Sequence, residues 1–253
     1  MFIENRCVTC GSCVATCTQG AQILSSAGRE ILWNQCDNCG ACVQTCPSRA
    51  LTIAGEWFTV DQVMNIVKKD MPYYQASGGG VTFSGGEPMI QPDFLSSCLE
   101  RCHQAGIHTA VDTSGSVPWT NFRKVLAHTD LFLYDLKHMD NAKHKALIGV
   151  GNELILDNLQ RLDRHGKSIW IRIPLIPGHN DSTGNLLQAI EFIKNLKHVE
   201  RISLLSFNEA AGAKYIYTGK TYNLQNMKRH TQEQEQTYFD IFSSAGIRVQ
   251  IGR

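Results

Sequence analysis

The 253-residue sequence predicts an α/β protein in two parts: a small cysteine-rich α+β domain over residues 1–54 and a parallel (β/α) sheet or barrel over residues 55–253. Three observations carry that expectation. A four-cysteine run occurs twice before residue 47. Beyond residue 55, short β-rich runs alternate with helix-length amphipathic ones, as βαβ crossovers require. The β-rich runs repeatedly end in polar residues, and strand ends are where α/β barrels place their active sites.

Composition narrows the function classes. A hydrophobic content of 43% is enough to bury a substantial core, and a formal net charge of +1 gives no reason to expect nucleic acid or an anionic membrane surface. No apolar run is long enough to span a bilayer, and no basic-then-apolar leader opens the chain, so the expected compartment is the cytoplasm. There, ten cysteines point to metal ligation over a disulfide framework.

Cys7-x2-Cys10-x2-Cys13-x3-Cys17 is repeated at a constant offset as Cys36-x2-Cys39-x2-Cys42-x3-Cys46, followed by Pro47. This is the run of a bacterial two-cluster ferredoxin, in which three close thiolates wrap one cubane and the fourth reaches the other. The spacing therefore assigns Cys7, Cys10, Cys13 and Cys46 to one [4Fe-4S] cluster, and Cys36, Cys39, Cys42 and Cys17 to a second. A pair of zinc sites is the alternative, but zinc knuckles rarely repeat four cysteines in this register. Thr18 stands where a proline usually follows the fourth cysteine, a change for the turn more than for ligation. Ala21–Leu24 and Glu30–Trp33 flank Ser25–Gly28 and read as a hairpin, and Ala50–Ile53 reads as a further β-like piece. So little apolar sequence makes this bacterial-ferredoxin-like domain dependent on its clusters for folding.

Thr59 with Gln62 forms a capping-box pattern, and Val60, Val63, Met64 and Val67 give one apolar helix face up to Asp70. Val81–Phe83 reads as a short buried strand that breaks into Ser84-Gly85-Gly86-Glu87-Pro88. The glycines there permit φ > 0 or close approach to a ligand, and Glu87 offers a carboxylate to an ammonium group. A helix follows near Asp93–Ala105. Next come a strand at Thr109–Val111 ending in Asp112-Thr113-Ser114-Gly115, and a helix near Trp119–Leu126. A strand at Leu131–Tyr134 ends in Asp135-Leu136-Lys137, with a helix near Leu154–His165. Ile169–Ile173 contains Arg172 and precedes a helix at Leu186–Leu196. Ile202–Leu205 ends in Ser206-Phe207-Asn208, a helix spans about Gln232–Ala245, and Ile247–Ile251 closes the chain.

On this reading Glu87, Asp112, Thr113, Asp135, Lys137 and Asn208 converge on one mouth. Each has a plainer alternative. Asp112 with Ser114 would serve as a helix cap, Asp135 and Lys137 could be a surface ion pair, and Asn208 could form a turn. Cys98 and Cys102 beside Leu95 and Leu99 read as core thiols. His144 and His179 read as loop histidines without a metal.

The order of ferredoxin-type cysteines, Ser84–Pro88, Asp112–Gly115, Asp135–Lys137, Arg-Ile-Pro-Leu-Ile-Pro-Gly-His-Asn-Asp at 172–181 and Lys214-Tyr215 resembles the glycyl-radical-enzyme activating family. These are radical S-adenosylmethionine (SAM) enzymes similar to the pyruvate formate-lyase activating enzyme, here of the kind with an inserted two-cluster ferredoxin module. The resemblance implies a partial barrel of radical SAM type. It implies that Gly85, Gly86 and Glu87 hold the methionyl amino group of SAM and that Asp135 and Lys137 lie near its carboxylate. It also implies a monovalent cation at Asp112, Thr113 and Asp135. Family members often carry histidine where this sequence has Asn208. The implied activity is reductive cleavage of SAM to a 5′-deoxyadenosyl radical that takes hydrogen from a glycine of a partner, a glycyl radical enzyme. The two clusters would relay electrons from a flavodoxin or ferredoxin-type donor.

The family's Cys-x3-Cys-x2-Cys loop, which follows its first barrel strand, has no counterpart in this sequence, and Cys98-x3-Cys102 lacks a third cysteine. The expectation is a chain that lacks that strand, leaves the Val81–Phe83 edge open and, as given, does not cleave SAM. The alternative function is a ferredoxin-type electron-transfer or partner-binding protein whose barrel is a scaffold.

Overall fold

The computed structural model describes residues 1–26, 28–212, 215 and 221–252. The chain forms two compact units, Met1–Trp57 with Asn208–Met227, and Phe58–Phe207 with Lys228–Arg253.

In the first unit, α1 (Ser12–Thr16) and α2 (Ala41–Gln44) each start inside a cysteine run, directly after a glycine in the left-handed region, Gly11 at φ 77° and Gly40 at φ 79°. That conformation turns the chain sharply enough to begin a helix two residues after Cys10 and Cys39 without steric cost. The two helices pack on each other. Strands β1 (Gln22–Ser25) and β2 (Gly28–Ile31) form an antiparallel hairpin with Ser25 opposite Gly28. The hairpin is tighter than expected because Gly28, at φ 117°, belongs to the second strand and not to the turn. Ala50–Ile53 is not a strand. Leu51 makes a single antiparallel bridge to Phe2, flanked by Ile3 N donating to the Ala50 carbonyl at 2.8 Å and Thr52 N to the Met1 carbonyl at 3.0 Å. The 3-10 turn at Glu4–Arg6 ends the pairing. Among the described residues only Cys13, Ala21, Ala50 and Leu51 are buried apolar side chains here, while Val8, Ile53 and Trp57 are exposed. That core is too small to hold the unit by itself.

The second unit begins with α3 (Val60–Val67), whose capping box is present as expected: the Thr59 hydroxyl accepts from Gln62 N and the Gln62 side chain accepts from Thr59 N. Met64 and Val67 pack with Cys102 and Ile107. A short helix, α4 (Met71–Ser77), follows and was not expected, since Pro72 and a polar run hide its pattern. Six strands then form one parallel sheet, β3 (Gly80–Phe83), β4 (His108–Thr113), β5 (Leu131–Asp135), β6 (Ser168–Leu175), β7 (Val199–Ser206) and β8 (Val249–Gly252), in sequence order. Because every strand lies beside its successor, all crossovers run the same way and the helices cover one face. Those helices are α5 (Pro92–Gln104), α6 (Trp119–Val125), α7 (Asn141–Ile148), α8 (Glu153–Arg164), α9 (Thr183–Lys194) and α10 (Gln232–Ser244). The architecture is a partial (β/α) barrel of six parallel strands.

Burial alternates along β6: Ile169, Ile171, Ile173 and Leu175 are buried, while Trp170, Arg172 and Pro174 are half-buried on the opposite face. The buried set joins Val111, Phe132, Tyr134 and Leu159 in the main core. The other, concave face carries the polar side chains. Strand β3 is half-buried with Thr82 exposed, not buried as expected, because among the described residues it pairs on one side only, with β4. The register puts Gly80 so close to His108 that a Cβ would stand 1.8 Å from its carbonyl oxygen, so only glycine fits.

Cys98 and Cys102 are fully buried on α5, where burial and then the neighbouring thiol push Cys98 up to about 11. His144 lies on α7, buried, with Nδ1 2.7 Å from the Val150 carbonyl; it is not in a loop. Helix α7 has no clear apolar stripe, which is why periodicity does not reveal it. No helix among the described residues is long and apolar enough to cross a membrane.

Candidate functional site

The C-terminal ends of β3 to β6 carry two linked groups of polar side chains. Arg172 pairs in register with Asp135 across β5 and β6, and Asp112 lies on the same face of β4. The Arg172 guanidinium bridges both carboxylates. Nε donates to Asp135 Oδ1 at 3.0 Å, Nη1 to Asp112 Oδ2 at 2.9 Å, and Nη2 to Asp135 Oδ1 at 2.7 Å and also to Asp112 Oδ1. Burial works against the guanidinium's charge, but Asp135 and Asp112 outweigh it and hold Arg172 above its ordinary pKa. Lys137 Nζ lies 3.6 Å from Asp135 Oδ2, the loosest pairing in the group, and Ser84 Oγ donates to Asp112 at 3.0 Å.

Glu87 belongs to the second group. Gly85 at φ 90° and Gly86 at φ 41° turn the chain after β3 in conformations that need glycine. They deliver the Glu87 carboxylate to the end of β4, where Oε1 accepts from Thr113 Oγ1 at 2.9 Å and Met89 N at 3.3 Å. Its Oε2 accepts from Ser114 N at 2.9 Å and Ser114 Oγ at 2.7 Å. Of the expected mouth residues, Thr113 meets Glu87 and not Asp112. Neighbours on a strand point to opposite faces, and its buried hydroxyl serves Glu87 and Gly115 N instead. Asn208 opens the Asn208–Met227 segment of the first unit, directly after Phe207, the residue that follows β7. Lys214 lies outside the described residues, and Tyr215 is exposed with its ring 4.9 Å from that of Tyr222.

In the first unit the cysteines divide between two cavities. Cys7, Cys10, Cys13 and Cys46 line a tight one of about 20 Å³, and Cys17, Cys36, Cys39 and Cys42 line another of about 480 Å³. Among the described residues no three His, Cys, Asp or Glu converge closely enough to hold a single metal ion. Each set is the four-thiolate complement that a [4Fe-4S] cubane takes, and the first cavity would have to open to admit one.

Comparison with known proteins agrees with both units. The profile of the radical SAM superfamily matches residues 36–193, and that of a 4Fe-4S dicluster domain matches residues 1–54. The choline trimethylamine-lyase activating enzyme of Oleidesulfovibrio alaskensis is 39% identical, over 89% of this chain and 74% of its own. The (2S)-3-sulfopropanediol dehydratase activating enzyme of Klebsiella oxytoca is 36% identical, over 98% of this chain and 82% of its own. The chain belongs to the radical SAM glycyl-radical-enzyme activating family. A crystallised domain of the pyruvate-formate lyase-activating enzyme from Bacteroides vulgatus shares the fold, at TM-score 0.59 and 37% identity, over 70% of this chain and all of that one.

In this radical SAM chain, several residues that brace the rim escaped the sequence reading. Arg172 could have been found, because it falls in the half-exposed phase of β6 with its partner Asp135 one strand away. Asn158 interrupts the apolar stripe Ile155, Leu159, Leu162 of α8, and it donates to the Gly115 and Val117 carbonyls at 2.9 and 2.8 Å, fixing the turn that holds Glu87. Asn180 donates to the carbonyls of Lys137 at 2.7 Å and Pro174 at 2.6 Å, tying the loops after β5 and β6. Its neighbour Asp181 accepts from His230 Nε2 at 2.9 Å and Gly178 N at 3.0 Å.

Burial raises the Asp181 carboxyl, but the His230 and Gly178 hydrogen bonds prevail and hold it below its usual value. A depressed folded-state pKa adds stability above the unfolded value, near 3.8, and that stability is lost as pH falls through the folded value. Asp181→Asn is therefore expected to lower stability by about 1–2 kcal/mol at pH 7, with the two proteins converging below pH 4. Urea unfolding at the two pH values checks this, and a loss that persists in acid would contradict it.

Proposed function

We propose that this chain binds SAM at the C-terminal rim of its barrel as a protein of the glycyl-radical-enzyme activating type, with the two cysteine groups holding [4Fe-4S] clusters that relay electrons from a flavodoxin or ferredoxin-type donor. The Cys-x3-Cys-x2-Cys loop that would hold the SAM-cleaving cluster is not among these 253 residues, so the chain as given is assigned SAM binding and electron relay. The observation that carries the reading is the charge pattern of the rim. Glu87, Asp112 and Asp135 set against Arg172 and Lys137 leave a formal charge of −1, complementary to SAM, whose ammonium, carboxylate and sulfonium sum to +1. Lys137, held only loosely, is free to pair with the ligand carboxylate. Glu87 meets the ammonium once the Thr113 and Ser114 hydroxyls rotate, because both now occupy its lone pairs. Gly85 and Gly86 leave room for close approach of the backbone. A monovalent cation at Asp112, Thr113 and Asp135 would compete with Arg172, whose single charge bridges the two aspartates.

Reductive cleavage would need SAM on a cluster iron that no thiolate occupies, which two four-thiolate clusters do not offer; the chain's own residues orient the ligand and shield it from water. The relatives named above support the choice of partner class. Lys137→Met tests the site: SAM affinity of the anaerobically reconstituted chain is expected to fall at least tenfold, as losing a charge-assisted contact of about 1.5–3 kcal/mol requires. Unchanged affinity would sink the assignment.

A further inference from the structure

The two cysteine groups are joined by a side-chain bridge. Leu24 pairs with Arg29 and Gln22 with Ile31, so Gln22 and Arg29 project from the same face of the β1–β2 hairpin. Arg29 lines the cavity of Cys7, Cys10, Cys13 and Cys46, and Gln22 lines that of Cys17, Cys36, Cys39 and Cys42. Arg29 Nε donates to Cys13 Sγ at 3.3 Å, and Gln22 Nε2 donates to Cys42 Sγ at 3.4 Å. Between them Arg29 Nη2 donates to Gln22 Oε1. The guanidinium carbon stands 4.4 Å from the centroid of the Phe2 ring, and Nη1 is buried with no hydrogen-bond partner. A buried guanidinium donor without an acceptor is costly, and a cluster's sulfur atoms would supply the missing acceptor.

We propose that Arg29 makes the two clusters unequal, raising the reduction potential of the one held by Cys7, Cys10, Cys13 and Cys46. The inference rests on the iron–sulfur reading above. Reduction adds one electron, taken from an external low-potential donor, and makes the cluster more negative. A fixed positive charge and an N–H···S bond stabilise that reduced form. Gln22 gives the second cluster a hydrogen bond from a neutral amide, and the Arg29 charge, which also reaches Cys42, acts there from behind that amide and not through a direct N–H···S bond. The bridge therefore places the higher-potential cluster on the Arg29 side, and electrons settle there first.

The test is a redox titration of the reconstituted full chain followed by electron paramagnetic resonance, alongside iron analysis. In Arg29→Met, with iron unchanged at about eight per chain, one midpoint is expected to fall by at least the equivalent of a tenfold change in equilibrium constant, about 59 mV, and the other to fall by clearly less. Arg29→Lys, which keeps the charge, is expected to restore most of the shift. If Arg29→Met loses iron, Arg29→Gln decides, since it keeps an N–H donor at the first cluster without the charge and must lower the same midpoint. Unmoved midpoints in an iron-replete variant overturn the proposal alone. A wild-type chain that takes up no clusters overturns it together with the reading on which it rests.

Discussion

Arg172→Met is expected to destabilise the barrel by about 2 kcal/mol, a fall in Tm of several degrees, and to reduce SAM binding below detection. The guanidinium is the shared countercharge of Asp112 and Asp135, whose side chains are 18% and 20% exposed. Without it, among the described residues Asp112 keeps the Ser84 hydroxyl and Asp135 the more distant Lys137. Partly buried carboxylates that lose their partner cost more than the pair contributed, because neither regains full hydration. Arg172→Lys should recover part of the stability but less of the binding, since a single ammonium cannot reproduce the fork across two carboxylates. Differential scanning calorimetry and SAM binding on the same preparations check both effects. A methionine variant with wild-type Tm and affinity would show that the bridge is incidental.

Gly115→Ala should be more damaging still, by about 4 kcal/mol. A Cβ there would lie 1.8 Å from Tyr134 Oη and 2.2 Å from Cζ, and the residue sits at φ 73°. Tyr134 is fully buried and donates to the Ile155 carbonyl at 2.7 Å, so the ring has nowhere to retreat. Overpacking of about 1–3 kcal/mol and a left-handed penalty of about 1–2 kcal/mol combine. The same turn holds Thr113 and Ser114 against Glu87, so the variant should also lose ligand affinity at temperatures where it remains folded. Tyr134→Leu in the same chain should relieve the steric part. Thermal unfolding of the single and double variants separates the two contributions, and a single variant of wild-type Tm would contradict the packing account.

The strand–helix order was legible because each strand is short, β-rich and followed by punctuation, as at Phe83-Ser84-Gly85-Gly86. The Thr59–Gln62 capping box and the mostly apolar stripe of α8 were equally plain in the residues. What escaped has physical causes. Helices α4 and α7 carry too few buried residues to show a period, so only tertiary context reveals them. Thr113 was read as a rim residue because its position in the chain is visible while its side of the strand depends on where the strand ends. Arg172 was noticed only as part of a motif, since its role depends on the register of β5 against β6, which no single strand encodes. Asn158 acts through the main chain of another loop and leaves no mark beyond polarity in an apolar stripe, whereas Asn180 stands in a polar motif that does not reveal which loops it ties. The cysteines were the reverse case: their spacing alone implies which four surround each cavity.

Equilibrium dialysis of SAM against the anaerobically reconstituted wild-type chain tests the rim assignment most directly, with S-adenosylhomocysteine as the comparison. The account predicts saturable binding of one SAM per chain, and weaker binding of the homocysteine analogue, which lacks the sulfonium charge that the net-negative rim favours. Absence of saturable binding, or equal affinity for both ligands, would contradict it.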